Sequence, residues 1–421
     1  MKKQYHILSA TICLITVFTS IQAAAATRTV CMNLYLQDGV RTNCSTASDT
    51  GARRPCAPAG SASPYVFGTG QVLELWDWES GDGSTDNFIG TFTYNNNGQV
   101  CASFDWESLP FSAGDSNPDL YVKMTNQAKP TNNTVGTVQV VDASGVKYGT
   151  VSWRDVSGCI AWNCSGTCSI GCGMLPTNDT ASDYGHAVLL LDSAQHAYET
   201  FSGEIRSNTV SIEYPTARVC PWAAALNRST ICFPAGNLAL EGDRAAHEVG
   251  HVIQMMQFYQ DFLTDDCSWN GDGWTPNGIE WQSCATTEGW AMYAAIAAWW
   301  DPNNTGSVPR YANIDMEDRT PVNGTCSNNA WIPTQVTKAF WDLDDANNEI
   351  GAGITNGEDD VTNLNTLLMA DAWDYFPDGT SNHQDGESDS NGVNARDYDY
   401  NWPVNEETFL RHNCIQSQVT D

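Results

Sequence analysis

The sequence predicts an α+β protein in which an N-terminal antiparallel β-sandwich is followed by a mixed domain with several helices. Three observations support this class. Short strand-like segments with Asn- and Gly-rich turns recur between about residues 65 and 155. Beyond about residue 180, helical segments alternate with short strands. Apolar residues recur every three or four positions around residues 245–263, which is typical of an amphipathic helix.

Residues 1–26 have the composition of a secretory signal peptide. They begin with Lys2 and Lys3, continue with an apolar run from Ile7 to Ile21 and end in a run of alanines. We therefore expect a secreted protein, extracellular or periplasmic, that begins near Thr27. No other apolar segment reaches the ~18 residues that a membrane span needs, so none is predicted.

The cysteines also indicate an oxidising compartment. Of the 15 cysteines, Cys13 lies in the predicted signal peptide, which leaves an even number for disulfide bonds. Residues 156–182 form a Cys-rich connector, which we expect to be a disulfide-stapled loop, with a structural zinc site as the alternative. The four crowded cysteines of this connector are Cys159, Cys164, Cys168 and Cys172.

The charge balance limits the partners of the chain. Fifty acidic residues face 19 basic ones, which gives a formal net charge of −31. A surface of this kind repels phosphate backbones and anionic headgroups, so nucleic acid and anionic lipid are not expected as partners.

Residues 27–155 are assigned to the β-sandwich. Within them, residues 27–64 are expected to be irregular, and strands are predicted at 71–78, 88–94, 100–104, 120–124, 135–141 and 147–153. The segments Leu75-Trp-Asp-Trp78, Ile89-Gly-Thr91 and Pro118-Asp-Leu-Tyr-Val122 resemble the transthyretin-like sandwiches of some secreted proteins. The resemblance implies an accessory domain.

Residues 183–421 are assigned to the second domain. Helices are predicted at 184–201, 283–300, 334–343 and 361–375, and strands at 209–214 and 229–233.

One motif in this domain carries chemistry. His247-Glu248-Val249-Gly250-His251 has the form H-E-x-x-H, in which two imidazoles four positions apart on a helix point at one metal ion. Zinc is the ion that this arrangement usually holds, and Glu248 lies where a general base would take a proton from a zinc-bound water.

A catalytic zinc needs a third protein ligand. The extended metzincin motif would place Gly at 254 and His at 257, but the chain has Gln254 and Gln257. Glu288 lies in a predicted helix among small and apolar residues, where a carboxylate is costly unless a cation or hydrogen-bond donors meet it. Glu280 is the alternative third ligand.

His247–His251 followed by Glu288-Gly-Trp-Ala-Met-Tyr293 resembles the gluzincin branch of the zincin metallopeptidases. The resemblance implies a zincin-like domain with two zinc-bearing helices. It also implies an edge strand above the cleft, with which an extended peptide backbone could pair, and Thr230–Phe233 is our candidate for this strand. It implies His247, His251 and Glu288 as zinc ligands, Glu248 as general base, and a protein or peptide substrate. The thermolysin-like form N-E-x-x-S-D is absent around Glu288, which indicates a different gluzincin family.

Other predictions concern oxyanion stabilisation and calcium. Candidates for stabilising the oxyanion are Tyr293, Tyr311, His383 and His412. Calcium is a second cofactor prediction for two acidic stretches, with solvated loops as the alternative. These stretches are residues 342–349 and 385–391.

Two other function classes compete with a secreted zinc peptidase. One is a non-catalytic extracellular binding or surface protein whose zinc site is structural or a relic. An intact Glu248 argues against it, because a structural zinc needs no base. The other is a zinc hydrolase that acts on a non-protein substrate, such as an ester or a peptidoglycan cross-link.

Overall fold

A computed structural model describes about two fifths of the chain, in segments that include the H-E-x-x-H motif. The described residues are 26–32, 35–37, 65–67, 71–78, 86–93, 100–106, 117–128, 137–145, 151–152, 160–170, 183–201, 209–218, 220, 223–235, 243–257, 275–280, 282–302, 309–311, 314–316 and 332–344.

Helices and sheets are both present, which confirms a mixed α+β protein. The strands are β1 (Ala26–Met32), β2 (Tyr35–Gln37), β3 (Tyr65–Phe67), β4 (Gln71–Asp77), β5 (Asn87–Thr93), β6 (Val100–Trp106), β7 (Leu120–Ala128), β8 (Thr137–Val141), β9 (Val151–Ser152), β10 (Thr167–Ser169), β11 (Thr209–Glu213), β12 (Ala224–Asn227), β13 (Thr230–Cys232), β14 (Arg310–Tyr311) and β15 (Ile314–Asp315). The helices are α1 (Asp183–Thr200), α2 (Arg244–Gln257), α3 (Gln282–Trp299) and α4 (Pro333–Asp344).

The largest sheet joins strands from distant parts of the sequence. Its order is β12-β13-β11-β8-β7-β4-β5, with β9 paired to β7. Strands β4, β5, β7 and β8 pair antiparallel, whereas β11 pairs parallel with both β8 and β13. In β4 the burial alternates residue by residue, as expected for a strand. The predicted strands therefore form, while the β-sandwich and the domain boundaries stay predictions.

A second sheet corrects one expectation. Residues 27–64 were expected to be irregular, but β1 lies between β10 and β6 in a three-stranded sheet. The reason is long-range pairing, because Cys31 stands opposite Cys101 in the register and is bonded to it. A second disulfide joins Cys164 to Cys168, which supports the stapled loop over a zinc site for these two cysteines.

The helices pack beside the large sheet and form much of the core. Every residue from Ala291 to Trp299 of α3 is buried, which is typical of a helix enclosed by other elements. The neighbours of α3 include α1, α2 and α4. Among the described helices, none combines the length and the apolar character needed to cross a bilayer.

Several predictions lie outside the described residues. These are the signal peptide up to residue 25, the helix at 361–375, and the acidic stretch at 385–391. Of the first acidic stretch, Asp344 ends helix α4 and is fully buried. Residues 345–349 of that stretch are not described.

Candidate metal centre

Helix α2 places the two histidines of the motif on one face. Its first turn is held from outside, because the Ala246 amide donates to Ser193 Oγ of α1 at 3.1 Å. The four amides at a helix N-terminus have no partner within the helix, so this contact satisfies one of them. His247 and His251 follow one turn apart, and both are buried.

Glycine allows α3 to approach α2 closely. A Cβ atom added at Gly250 would lie 2.9 Å from Ala291 Cα and 2.9 Å from Ala294 Cβ. Both distances are shorter than real Cβ contacts, so only glycine fits between these helices. Gly250 of the H-E-x-x-H motif and the alanines of α3 therefore let the two helices pack closely. This close packing brings Glu288 within reach of the histidines.

Three ligand atoms converge at this contact. His247 Nε2 lies 3.1 Å from Glu288 Oε2, and His251 Nε2 lies 3.5 Å from the same oxygen. The two Nε2 atoms are 3.2 Å apart. These three residues are the group that could hold a metal ion within the described part of the chain. The structure thus brings together the three predicted ligands.

The spacing and the chemistry of these atoms fit a tetrahedral ion. With metal–ligand bonds of ~2.0–2.1 Å, neighbouring ligands of a tetrahedral zinc lie about 3.3 Å apart. The three measured separations are 3.1, 3.2 and 3.5 Å. Two imidazole nitrogens and a carboxylate oxygen are also the kinds of ligand atom that zinc takes in proteins, so the donor set fits such an ion.

The electrostatics also favour a positive charge here. Burial lowers the pKa of His251, but the Glu288 carboxylate more than offsets this effect, and the pKa rises to about 9. Burial raises the pKa of Glu288, but His251 and His247 hold it well below its usual value. Glu288 therefore stays ionised inside the protein.

The far nitrogens of both imidazoles have buried partners. His251 Nδ1 lies 3.0 Å from Gln254 Oε1, and His247 Nδ1 lies 3.1 Å from Tyr311 Oη. Burial, followed by the charge of Asp243, raises the pKa of Tyr311 well above its ordinary value. The Tyr311 side chain is therefore a neutral phenol.

Glu248 is held beside the centre by a strand. Its Oε2 atom accepts a hydrogen bond from the Ala225 amide of β12 at 2.9 Å, and the side chain is buried. Because β12 stands at the end of the large sheet, it is the edge strand next to the motif helix.

This position corrects the edge-strand prediction. Thr230–Phe233 was the candidate, but β13 lies between β11 and β12. The Asn227 side chain accepts hydrogen bonds from the amide and hydroxyl of Ser229, which forms a tight turn between β12 and β13. The chain thereby folds β12 over the outer edge of β13.

The remaining candidates differ in where they lie. Glu280 is buried but is not part of the group that could hold a metal ion. Tyr293 donates to Asp344 Oδ2 at 2.6 Å, and Tyr311 contacts His247. His383 and His412 lie outside the described residues. Two contacts were not predicted from the sequence, that of Gln254 with His251 and that of β12 with Glu248. Gln254 was used only to exclude the metzincin motif.

Comparisons with known proteins do not assign a family or a function to the chain. No protein-family model matches the chain, and no curated protein matches it. A solved structure, a 9R-lipoxygenase from Cyanothece PCC8801, is similar with 16% identity and a TM-score of 0.19. That match covers 42% of this chain and 23% of the lipoxygenase. A likeness of this size supports neither a fold nor a function.

Proposed function

We propose that the protein is a secreted zinc-dependent metallopeptidase of the gluzincin type. The observation that carries the proposal is the convergence of His247, His251 and Glu288 at distances that suit a tetrahedral ion. His247 and His251 each offer Nε2, and Glu288 offers Oε2. A bound zinc ion would polarise a carbonyl group and lower the pKa of water at the open position.

The number of protein ligands in this group supports catalysis over a structural site. In the part of the chain that the structure describes, the protein supplies three ligands to this group. Structural zinc sites usually take four protein ligands, whereas catalytic sites take three. This count disfavours the non-catalytic alternative.

Glu248 is the general base of this proposal. It follows the first ligand directly, and its Oε2 atom is fixed by the Ala225 amide. A carboxylate held in this way takes a proton without first having to reorient. A structural zinc site would not require an acidic side chain next to its ligands.

Strand β12 would bind the substrate backbone. It is an edge strand, and an extended peptide adds to such an edge through main-chain hydrogen bonds. Since the Ala225 amide of β12 already donates to Glu248, a chain paired with other main-chain groups of β12 would pass beside the base. This arrangement favours a peptide over a compact ester.

The test uses the purified full chain and Glu248→Gln. We expect the wild type to contain zinc and to cleave an unfolded reporter protein, and a chelator should stop the cleavage. Glu248→Gln should keep zinc, because it changes no ligand, and should lose at least about 10²-fold in kcat. Zinc content and kcat are measured on the same samples.

Glu74→Gln is the matched control. Glu74 lies on β4 and accepts a hydrogen bond from the Trp76 indole, far along the sheet from the motif. The activity of Glu74→Gln should equal that of the wild type. Full activity of Glu248→Gln would refute the assigned base. Cleavage of an ester or a peptidoglycan cross-link in place of the unfolded protein would refute the substrate class.

A further inference from the structure

We propose that Gln254 and Tyr311 are positioning residues that fix both imidazoles of the metal centre in the tautomer that binds a divalent cation. The inference rests on the proposed function, because it concerns the same site. It adds two residues whose roles follow from their contacts and not from the motif.

The argument begins with the two nitrogens of each ring. A neutral imidazole that offers the Nε2 lone pair carries its proton on Nδ1, and that proton needs an acceptor. In both histidines Nε2 faces Glu288. Both Nδ1 atoms meet an oxygen, from Gln254 in one case and from Tyr311 in the other.

Burial makes these contacts effective. Gln254 is 0% exposed and Tyr311 is 2% exposed, so water does not compete for either Nδ1 proton. Among the described residues, Nε2 of Gln254 has no hydrogen-bond partner, whereas Oε1 of the same side chain lies 3.0 Å from His251 Nδ1. The amide of Gln254 is therefore tied to the core through the imidazole of His251.

The two positioning residues reach the centre by different routes. Gln254 lies on α2, three residues after His251, so its contact is local to one helix. Tyr311 lies on β14 and approaches from a distant segment. The orientation of His247 therefore depends on the packing of β14, whereas that of His251 depends on α2 itself.

Zinc affinity of the full chain tests the proposal, measured by competition with a chromophoric chelator at fixed pH. Loss of a partner of this kind typically weakens metal binding 10–100-fold. We expect such a change for Gln254→Leu and for Tyr311→Phe. Gln254→Glu keeps an acceptor oxygen and should bind zinc within about threefold of the wild type.

Two variants control for the loss of buried polar groups. Tyr293→Phe removes the hydrogen bond to Asp344, and Gln195→Leu replaces a glutamine that is 0% exposed on α1. Neither should change zinc affinity by more than about threefold, since the residues that meet the Nδ1 atoms of the two imidazoles are Gln254 and Tyr311. A general loss of fold would lower the free energy of unfolding of all four variants. Urea unfolding of the zinc-free proteins measures this.

A spectroscopic signature separates positioning from structural support. In the zinc-loaded protein, nitrogen-15 NMR should show both Nδ1 atoms protonated, and Gln254→Leu should speed the solvent exchange of the His251 Nδ1 proton. Wild-type zinc affinity in both Gln254→Leu and Tyr311→Phe would overturn the inference. Weakened zinc binding in these variants, together with full activity of Glu248→Gln, would support positioning and contradict the proposed catalysis.

Discussion

The contact between α2 and α3 and the contact between β1 and β6 are both close, but they are held by opposite means. At the helices, missing side chains allow the approach, since Gly250 leaves no room for a Cβ atom against Ala291. At the strands, a covalent bond joins Cys31 to Cys101. The comparison teaches that side-chain packing sets the distance between the helices that carry His247, His251 and Glu288. In the small sheet, a covalent bond holds the two strands together.

Removal of the β1–β6 disulfide should have the largest effect on stability. Cys31 and Cys101 are 70 residues apart in sequence. In the chain-entropy account, loss of such a link lowers the free energy of unfolding by about 4 kcal/mol. We expect this loss in the variant with Ala at both positions, measured by urea unfolding, with zinc affinity unchanged.

The Cys164–Cys168 bond is the matched control. It spans a separation of 4 residues, so its removal should cost about 2 kcal/mol. Equal losses for the two pairs would contradict the entropic reason. A parallel loss of zinc affinity would contradict the separation between the two regions.

Gly250→Ala should have an intermediate effect on stability and a large one on the site. Alanine favours a helix over glycine by about 1 kcal/mol, so any net loss reports the collision with α3. We expect a destabilisation of about 1–3 kcal/mol and at least about tenfold weaker zinc binding, because Glu288 moves away from the histidines.

Gly90→Ala serves as the control for that substitution. A Cβ atom at Gly90, on β5, would meet nothing within 4 Å. Neither stability nor zinc affinity should fall. If Gly250→Ala also left zinc affinity unchanged, the close approach of α2 and α3 would not be what places the carboxylate.

Ser193→Ala should have the smallest effect. The Ser193 hydroxyl accepts from the Ala246 amide at the start of α2. Loss of a contact of this kind at a helix N-terminus costs about 1 kcal/mol in the free energy of unfolding. Thr200→Ala removes a hydroxyl that bonds to a carbonyl of its own helix and should cost less. A loss of zinc affinity above about threefold in Ser193→Ala would show that the first turn of α2 orients the ligands.

The sequence predicted this group of three residues partly from local spacing and partly from the resemblance to the gluzincins. Spacing within one helix brings His247 next to His251, and a lone carboxylate among apolar residues of α3 indicated a charged partner for Glu288. The structure places these three side chains together. Strands such as β4 and β11 were also predicted from short-range patterns.

What the sequence did not predict depends on long-range pairing. β12 shows no burial alternation, and its place at the sheet edge comes from pairing with β13. β1 forms because β6 and β10 lie beside it, from segments far along the chain. A glutamine amide can form hydrogen bonds in many environments, so the sequence does not single out Gln254. Its distance to His251 is what indicates the proposed role.

The hydrogen bond from Ala225 to Glu248 has a consequence for how a cleavage position would be chosen. One main-chain amide fixes the Glu248 carboxylate, which we propose as the proton acceptor, relative to the sheet edge. We expect the scissile linkage to be selected first by its alignment along β12, in steps of about 3.4 Å per residue, and only then by the neighbouring side chains.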